Sequence, residues 1–497
     1  MKPPRLHLGT IASIFVIAIL LRLFVFAYIA HEPRKFYTYD SDGYDRRAMN
    51  LLRYGVFASE KAPPLTPDLD RTPVYPAMLA GVFAVAGHTP AAAILLQILL
   101  GSVTALLTYG LARELGLSSR VGVLAALIVA VDPLSIMTAN HLLTETLFTL
   151  LLVGCIWALA RYWKTHALRW LALATVLIAL TSLTRPISQF LPLALLPLFP
   201  LAAAHGQRRA AAAAGVVFVV ASLALTYTWA VRNYREAGIF TLSTISDTNL
   251  LYYRARAVLA DAEGRSQEEA WKALEQRIEQ EATARNLSPA ETVALQRQEA
   301  LKIFQRYPGL TVKMLARGVG RLLVDPGYTI TCTQLDLQST ALDCFPGRSS
   351  MNDPGVIDKA LGKLGSMTLV QQLVLLWSTL LLAILYLGAA LGTVRLWRER
   401  HWLLLALLVL LLAYFIGLSA GGEANSRFRI PIVPFLAILA GAGLTALYEP
   451  IKAKIVGVGV ENKGTMGRQA GGVGVAPTFP SPSPIVMGEG EARQRRG

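Results

Sequence analysis

Charge is scarce in this sequence. Asp, Glu, Lys and Arg make up 16% of its 497 residues, where a soluble domain carries roughly a quarter. Mean hydropathy is +0.46. This balance excludes an ordinary soluble domain and indicates an integral membrane protein. Cysteine is scarcer still: there are three, and Cys155 sits inside an apolar run. Only Cys332 and Cys344 are left to pair. No glycine-rich nucleotide-binding loop is present, and no internal repeat of the kind transporters often show. The acids are outnumbered, 32 against 47 Lys and Arg, for a net charge of +15. That excess suggests nucleic acid at first sight, but polytopic proteins concentrate Lys and Arg in cytoplasmic loops, which explains it without a nucleic-acid partner.

Apolar runs, by contrast, are plentiful. A bilayer takes about 20 residues to cross, and runs near that length fall at about 9–30, 90–111, 121–139, 144–163, 169–185, 187–204, 210–231, 369–394, 402–420 and 428–448. The first contains Arg22 and lacks a small-residue cleavage site, so it reads as a retained span rather than a leader. The short connections "RELGLSSR", "RYWKTHALR", "HGQRR" and "RLWRERH" are basic, which places them and the N-terminus in the cytoplasm. That assignment requires the apolar run Val74–Gly87 not to span. At about 14 residues it reads as a re-entrant or interfacial helix. The expected fold is therefore an all-α integral membrane bundle of about 10–11 spans with juxtamembrane helices on its outer face.

The expected organisation has four parts. Residues 1–231 form an N-terminal transmembrane catalytic module, 232–368 a small helical extracytoplasmic insert, 369–448 the C-terminal transmembrane helices, and 449–497 a disordered cytoplasmic tail rich in Gly, Pro and Ser. The insert holds two capping boxes, Ser266 with Glu269 and Ser288 with Glu291, the latter with Pro289 at the first helical position. Cys332 and Cys344 lie in the same insert, and an oxidising compartment makes them a disulfide candidate.

Candidate chemistry gathers on the face opposite the basic loops. "YDSDGYDRRA" places Asp40, Asp42 and Asp45 beside Arg46 and Arg47 at the start of an amphipathic helix over 43–54. An N-cap would explain one acid, but not three. "RTPVYPAML" puts Arg71 before a proline-stiffened return to the membrane, although a snorkelling arginine would look the same. "NHLLTETLF" opens a span with Glu145, where a helix dipole could hold it. His141, one turn away, would make a metal pair if the helix continued, and Asp132 before Pro133 is a weaker acid. Arg185, Arg232, Arg427 and Arg429 stand at outer span ends, against the positive-inside bias, which suggests a bound phosphate.

Taken in order, these stretches look familiar. An outer "DSxxYxxxA" (Asp40, Ser41, Tyr44, Ala48) is followed by "RTPxYP" (Arg71 to Pro76), "LTETLF" (Leu143 to Phe148), "TRP" (Thr184 to Pro186), "WxxRN" (Trp229 to Asn233) and "RFRxPxxP" (Arg427 to Pro434). Over about residues 5–448 the chain resembles the bacterial membrane glycosyltransferases of family 39, relatives of the dolichyl-phosphate-mannose protein mannosyltransferases and the aminoarabinose lipid A transferases. The resemblance implies a GT-C fold and an enzyme of the bacterial inner membrane that works on its outer face. It implies a polyprenyl-phosphate-linked sugar donor and a lipid, glycan or protein acceptor. Asp40 takes the position of the family's catalytic acid and Glu145 that of a second acidic residue. Many relatives have Glu after the first Asp; here Ser41 follows and Asp42 comes next, so the base is Asp40 alone or the pair. Arg71, Arg185, Arg232, Arg427 and Arg429 become candidates for the donor phosphate. Histidine and acid metal ligands of some relatives are not matched, which leaves a divalent metal open. The competing function class is a polytopic transporter or lipid flippase, for which charges at mid-membrane and paired broken helices are expected.

Overall fold

In the computed structural model of the chain, residues 8–335 and 367–464 are described, and every regular element among them is helical. In chain order the first eight helices are α1 (Leu8–Ile29), α2 (Ser41–Tyr54), α3 (Val74–Ala86), α4 (Pro90–Glu114), α5 (Ser119–Val131), α6 (Pro133–Ala139), α7 (Glu145–Thr165) and α8 (Leu168–Thr184). Two short pieces, α9 (Leu191–Leu195) and α10 (Leu198–Ala202), lead to the long α11 (Arg208–Ala237). The insert holds α12 (Ile245–Asn249), a π-helical turn Leu250–Ala255, α13 (Arg256–Glu263), α14 (Gln267–Ala284), α15 (Pro289–Arg306), α16 (Pro308–Val324) and α17 (Tyr328–Gln334). Finally come α18 (Leu369–Arg398), α19 (Trp402–Ser419), a 3-10 segment Ser426–Ile432 and α20 (Val433–Gly464).

Seven of these helices are long and apolar enough to cross a membrane, or eight if α5 and α6 count as one bent span. The chain is a multi-pass membrane protein with fewer full-length spans among the described residues than the ten or eleven expected. Proline accounts for much of the difference. The run expected at 187–204 contains Pro192, Pro197 and Pro200, each removing a backbone donor, and it breaks into α9 and α10. The run at 121–139 bends by 54° where Pro133 follows Asp132, whose carboxylate caps the new helix by accepting from the Ser135 backbone N–H (2.8 Å). α8, at 17 residues, sits at the lower limit for crossing. Val74–Ala86 is the short helix the sequence suggests. The last helix continues to Gly464, where the sequence suggested a disordered tail from about 450; the rest of that tail lies outside the described residues.

Burial separates the helices. α7 and the first half of α20 are mostly enclosed, joined to α4, α5, α8 and α19 in one apolar core that includes Phe148, Leu152, Ile156, Leu411 and Phe435. α1, α11 and α18 leave large apolar side chains such as Phe24, Val217 and Leu387 exposed, which suits a lipid-facing surface. The α2 helix lies on α3, with Tyr44 edge-on to Tyr75 (5.1 Å). The insert has its own small core of Leu251, Val258, Leu274, Ile278, Leu295 and Ile303. Both of its capping boxes form as the sequence suggests.

Without a hydrophobic force between spans, close approach through small residues holds membrane helices together. α18 crosses α20 this way: a Cβ on Gly392 would collide with the carbonyl oxygen of Leu439, and one on Gly443 with that of Gly388. Neither obstacle is a flexible side-chain tip. Gly392→Val should therefore cost about 1–3 kcal/mol or more, read as a lower thermal unfolding midpoint of the detergent-solubilised protein. Gly417→Val, where a Cβ meets nothing within 4 Å, should leave the midpoint nearly unchanged.

Candidate active site

The site begins at Asp40, the residue before α2. Its backbone is already helical (φ −76°, ψ −27°), and its side chain caps nothing. Each carboxylate oxygen instead accepts from an arginine far away in sequence. Arg71 Nη2 lies 2.9 Å from Oδ1, and Arg427 Nη2 lies 2.6 Å from Oδ2. Helix capping therefore does not explain this acid.

Glu145 opens α7 and is almost fully buried. A buried carboxylate is costly unless paired, and two guanidiniums converge on its Oε1: Arg185 Nη1 at 2.8 Å and Arg427 Nε at 3.4 Å. Arg427 is thus shared between the two acids. Five groups alternate in sign, Arg71–Asp40–Arg427–Glu145–Arg185, with three cations against two anions. Their supports are aromatic. Arg185 lies over the rings of Phe148 (5.8 Å) and Phe428 (5.4 Å), and Arg427 over Phe428 (5.5 Å). Arg71 lies over Tyr44 (5.4 Å).

Helix termini deliver the cluster. Asp40 precedes α2, Arg185 ends α8, Glu145 begins α7, and Arg427 lies in the 3-10 segment after α19. Proline fixes several of these breaks: Pro186 follows Arg185, Pro73 closely follows Arg71, and Pro431 lies in the 3-10 segment. Arg71 is aimed by Asp68, whose carboxylate accepts from the backbone N–H groups of Asp70 (2.8 Å) and Arg71 (3.3 Å). The same carboxylate pairs with the buried Arg47 of α2 at 2.5 Å.

Burial alone would raise the Asp40 carboxyl, but Arg427 and then Arg71 outweigh it, and the group is held below the usual carboxylate range. Arg71 is in turn held above its ordinary value: burial opposes its charge, and Tyr44 and Asp40 favour it more strongly. His141 is pushed down to about 4 by burial, so it is neutral near pH 7; its Nδ1 lies 3.1 Å from the Met137 carbonyl oxygen. Among the described residues there is no group of three or more His, Cys, Asp or Glu side chains arranged to hold a metal.

The other sequence candidates stand elsewhere. Asp42 is exposed on α2 and takes no part in these ion pairs. Arg232 donates to the Asp68 carbonyl (2.8 Å) and lies over Trp229 (4.8 Å) and Phe57, which braces the Arg71 loop rather than entering the cluster. Arg429 is buried and gives Nη1 to the carbonyls of Leu322, Leu323 and Asp325, a cation at the C-terminus of α16. Cys332 lies on α17, and Cys344 lies outside the described residues, so their pairing does too. Sequence reasoning missed Asp68, Phe428 and Gln97. Gln97, an amide inside the apolar α4, receives the Tyr75 hydroxyl (2.6 Å) and donates to the His141 carbonyl (2.6 Å). A lone amide within a membrane run is the signal that could have found it.

Residues 70–231 match the family model described as dolichyl-phosphate-mannose-protein mannosyltransferase. The match covers about a third of the chain and contains Arg71, Glu145 and Arg185; Asp40 and Arg427 fall outside it. It supports the relationship suggested by the motifs. No curated protein matches the chain. Among solved structures, the chain is similar to the archaeal oligosaccharyltransferase AglB of Archaeoglobus fulgidus, in complex with an inhibitory peptide and a dolichol-phosphate. That likeness has 14% identity and a TM-score of 0.48 over 93% of this chain and 52% of that one, so the chain spans about half that protein's length. It is also similar to ArnT of Cupriavidus metallidurans bound to undecaprenyl phosphate, at 13% identity and a TM-score of 0.40, over 88% of this chain and 78% of that one. A third likeness is to the S. cerevisiae protein O-mannosyltransferase Pmt1–Pmt2 complex bound to the sugar donor. It has 14% identity and a TM-score of 0.36, over 45% of this chain and 34% of that one.

Breaking a buried ion pair by removing one partner leaves an uncompensated charge, whereas removing both does not. Arg185→Met should cost roughly 3 kcal/mol, the low end of that range because Arg427 remains near Glu145. Adding Glu145→Gln should restore most of the loss. A thermal-unfolding double-mutant cycle checks this, with strict additivity as the contrary result.

Proposed function

We propose that this chain is an inverting glycosyltransferase. It moves a sugar from a polyprenyl-phosphate-linked donor to a lipid, glycan or protein acceptor at the extracytoplasmic face of a bacterial inner membrane, with both termini in the cytoplasm. The alternating Arg71–Asp40–Arg427–Glu145–Arg185 chain carries the reading. The match of residues 70–231 to the mannosyltransferase model supports the chemistry, and the basic connections opposite the site support its sidedness. The cluster gathers at helix ends, as suits a donor whose tail stays in the bilayer and whose phosphate and sugar sit at its surface. A transporter would place such charges at mid-membrane.

The proposed reaction is a displacement at the anomeric carbon. The acceptor hydroxyl gives its proton to Asp40 as its oxygen bonds to that carbon. The bond from the carbon to the phosphate oxygen breaks on the opposite face, and its electron pair leaves with the polyprenyl phosphate. Negative charge grows on that phosphate, and Arg71, Arg185 and Arg427 are the cations placed to meet it. Three guanidiniums against two carboxylates leave one positive charge for the anion. A phosphate that takes up Arg427 and Arg71 also draws them from Asp40. The carboxylate, held low in the free protein by those two cations, then becomes a better proton acceptor when the donor is in place. Glu145, buried beneath Arg427 and Arg185, orients both cations. Asp42, exposed in the first turn of α2, is within the outer face and is assigned to the acceptor side.

A general base contributes about 10²–10⁴-fold. Asp40→Asn should lower kcat by that order while the protein still inserts and binds donor. Release of radiolabelled sugar from a polyprenyl-phosphate donor in proteoliposomes measures it. Wild-type turnover in purified Asp40→Asn protein would sink the assignment.

A further inference from the structure

Arg427 reaches Asp40 and Glu145 from the connection between α19 and α20, and the insert grips that connection at two places. On one side Arg254, in the π-helical turn, directs Nε (2.8 Å) and Nη2 (2.6 Å) to Glu423 Oε1, and Nη2 also donates to the Leu418 carbonyl (2.8 Å). The contact is close enough to demand glycine. A Cβ on Gly422 would collide with the Tyr253 carbonyl, and one on Gly421 with the Arg254 guanidinium and Glu423. Turns of π-helix are frequent at functional sites. On the other side Arg321 of α16 donates to the carbonyls of Gly421 (3.1 Å) and Gly422 (3.4 Å), Gly318 packs on the Gly421 backbone, and Arg429 returns the clasp to the end of α16.

Between the clasp and the cluster the backbone is stitched tightly. Asn425 Nδ2 donates to the Glu423 carbonyl (3.3 Å), and Asn425 Oδ1 accepts from the Arg427 backbone N–H (3.1 Å). Three residues separate Glu423 from Arg427, and the side chain of the middle one, Asn425, is bonded in both directions. Neither Arg254 nor Glu423 makes an ion pair with Asp40 or Glu145, and both are largely sheltered from solvent.

We propose that the Arg254–Glu423 pair is a positioning device through which the insert holds Arg427 in register between Asp40 and Glu145. The insert then governs whether the cluster is assembled, and an acceptor bound on the insert would act on the chemistry along this connection. The inference rests on the reading of Asp40 as base and Arg427 as a donor-phosphate cation. It assigns no catalytic contact to either member of the pair. Four groups act on Asp40: Arg427, Arg71 and Arg185 favour its ionised form, and Glu145 opposes it. Loosening Arg427 removes the largest of the three favourable influences.

The test uses the full-length chain in proteoliposomes with a polyprenyl-phosphate-linked sugar. Glu423→Gln keeps the shape of a side chain whose Oε2 is buried without a partner, so folding should survive. Misplacement of a reacting group by about 1 Å can cost on the order of 10²-fold. Glu423→Gln should lower kcat by that order with a smaller change in donor KM. The acid limb of kcat/KM should move to higher pH as Asp40 loses its strongest cation. Arg254→Gln should do the same, and Arg254→Lys should recover part of the loss; this second position serves if Glu423→Gln does not fold. Wild-type kcat and pH profile in both Glu423→Gln and Arg254→Gln, alongside an inactive Arg427→Ala, would overturn the inference and leave the function standing. A fall in kcat with an unmoved acid limb and a lower thermal midpoint would show ordinary destabilisation and also overturn it. An Arg427→Ala protein as active as wild type would instead bring down the underlying reading of the site.

Discussion

One guanidinium shared by two carboxylates holds this structure's polar centre together. Glu145 is buried in the first turn of α7, a position the bilayer-facing bundle tolerates only with compensating cations close by. Arg427 and Arg185 supply them from distant parts of the sequence, and Arg427 then has a second nitrogen free for Asp40. The planar fork makes this possible, since a lysine offers a point charge and cannot bond two acids in a fixed geometry. The start of α2, the loop before α3, the ends of α7 and α8, and the connection after α19 are all joined through that one network. Each must arrive for the others to be neutralised.

The breaks in the helices serve the same end. Proline after Asp132 and after Arg185 stands where a helix stops and a polar side chain is presented at its end, and Pro73 stands where α3 starts, two residues after Arg71. Backbone groups freed by those breaks are taken up locally: Asp132 caps α6, and Asp68 gathers the N–H groups of the Arg71 turn. Arg22 does comparable work deeper in the bundle, where its fully buried guanidinium donates to the carbonyls of Ala130 and Val129 at the end of α5. Much of the buried charge in this protein thus satisfies backbone at broken helix ends. Arg429 belongs to this group, whereas the half-buried Arg232 donates to a loop carbonyl, that of Asp68; the sequence alone could not separate either from the cations of the cluster.

A good part of the fold was legible. The capping boxes at Ser266 and Ser288, the amphipathic α2, the short apolar α3 and the spans α1, α4, α7, α11, α18 and α19 follow from residue periodicity and local capping chemistry. Proline-rich runs that read as single apolar stretches are divided into shorter helices, because hydropathy averages over a window and is blind to a missing backbone donor. At the site, motif order singled out Asp40, Glu145, Arg71, Arg185 and Arg427, which the structure brings together. It could not tell them from Asp42, Arg232 and Arg429, which carry the same charges in similar settings and lie apart from the cluster.

The sequence by itself determined that this chain lives in a membrane, where many of its helices begin and end, and which charged residues stand near those ends. These properties depend on composition and on neighbours a few residues away. The pairing of the charges was decided only in three dimensions. Asp40 and Arg427 are 387 positions apart, and nothing local to either says that they meet. Nor could any local feature show that Asp40 leaves its own helix uncapped, or that the insert clasps the connection bearing Arg427. Ion pairs inside a low-dielectric bundle are set by which helix ends converge, and convergence comes from packing along the whole length of the helices.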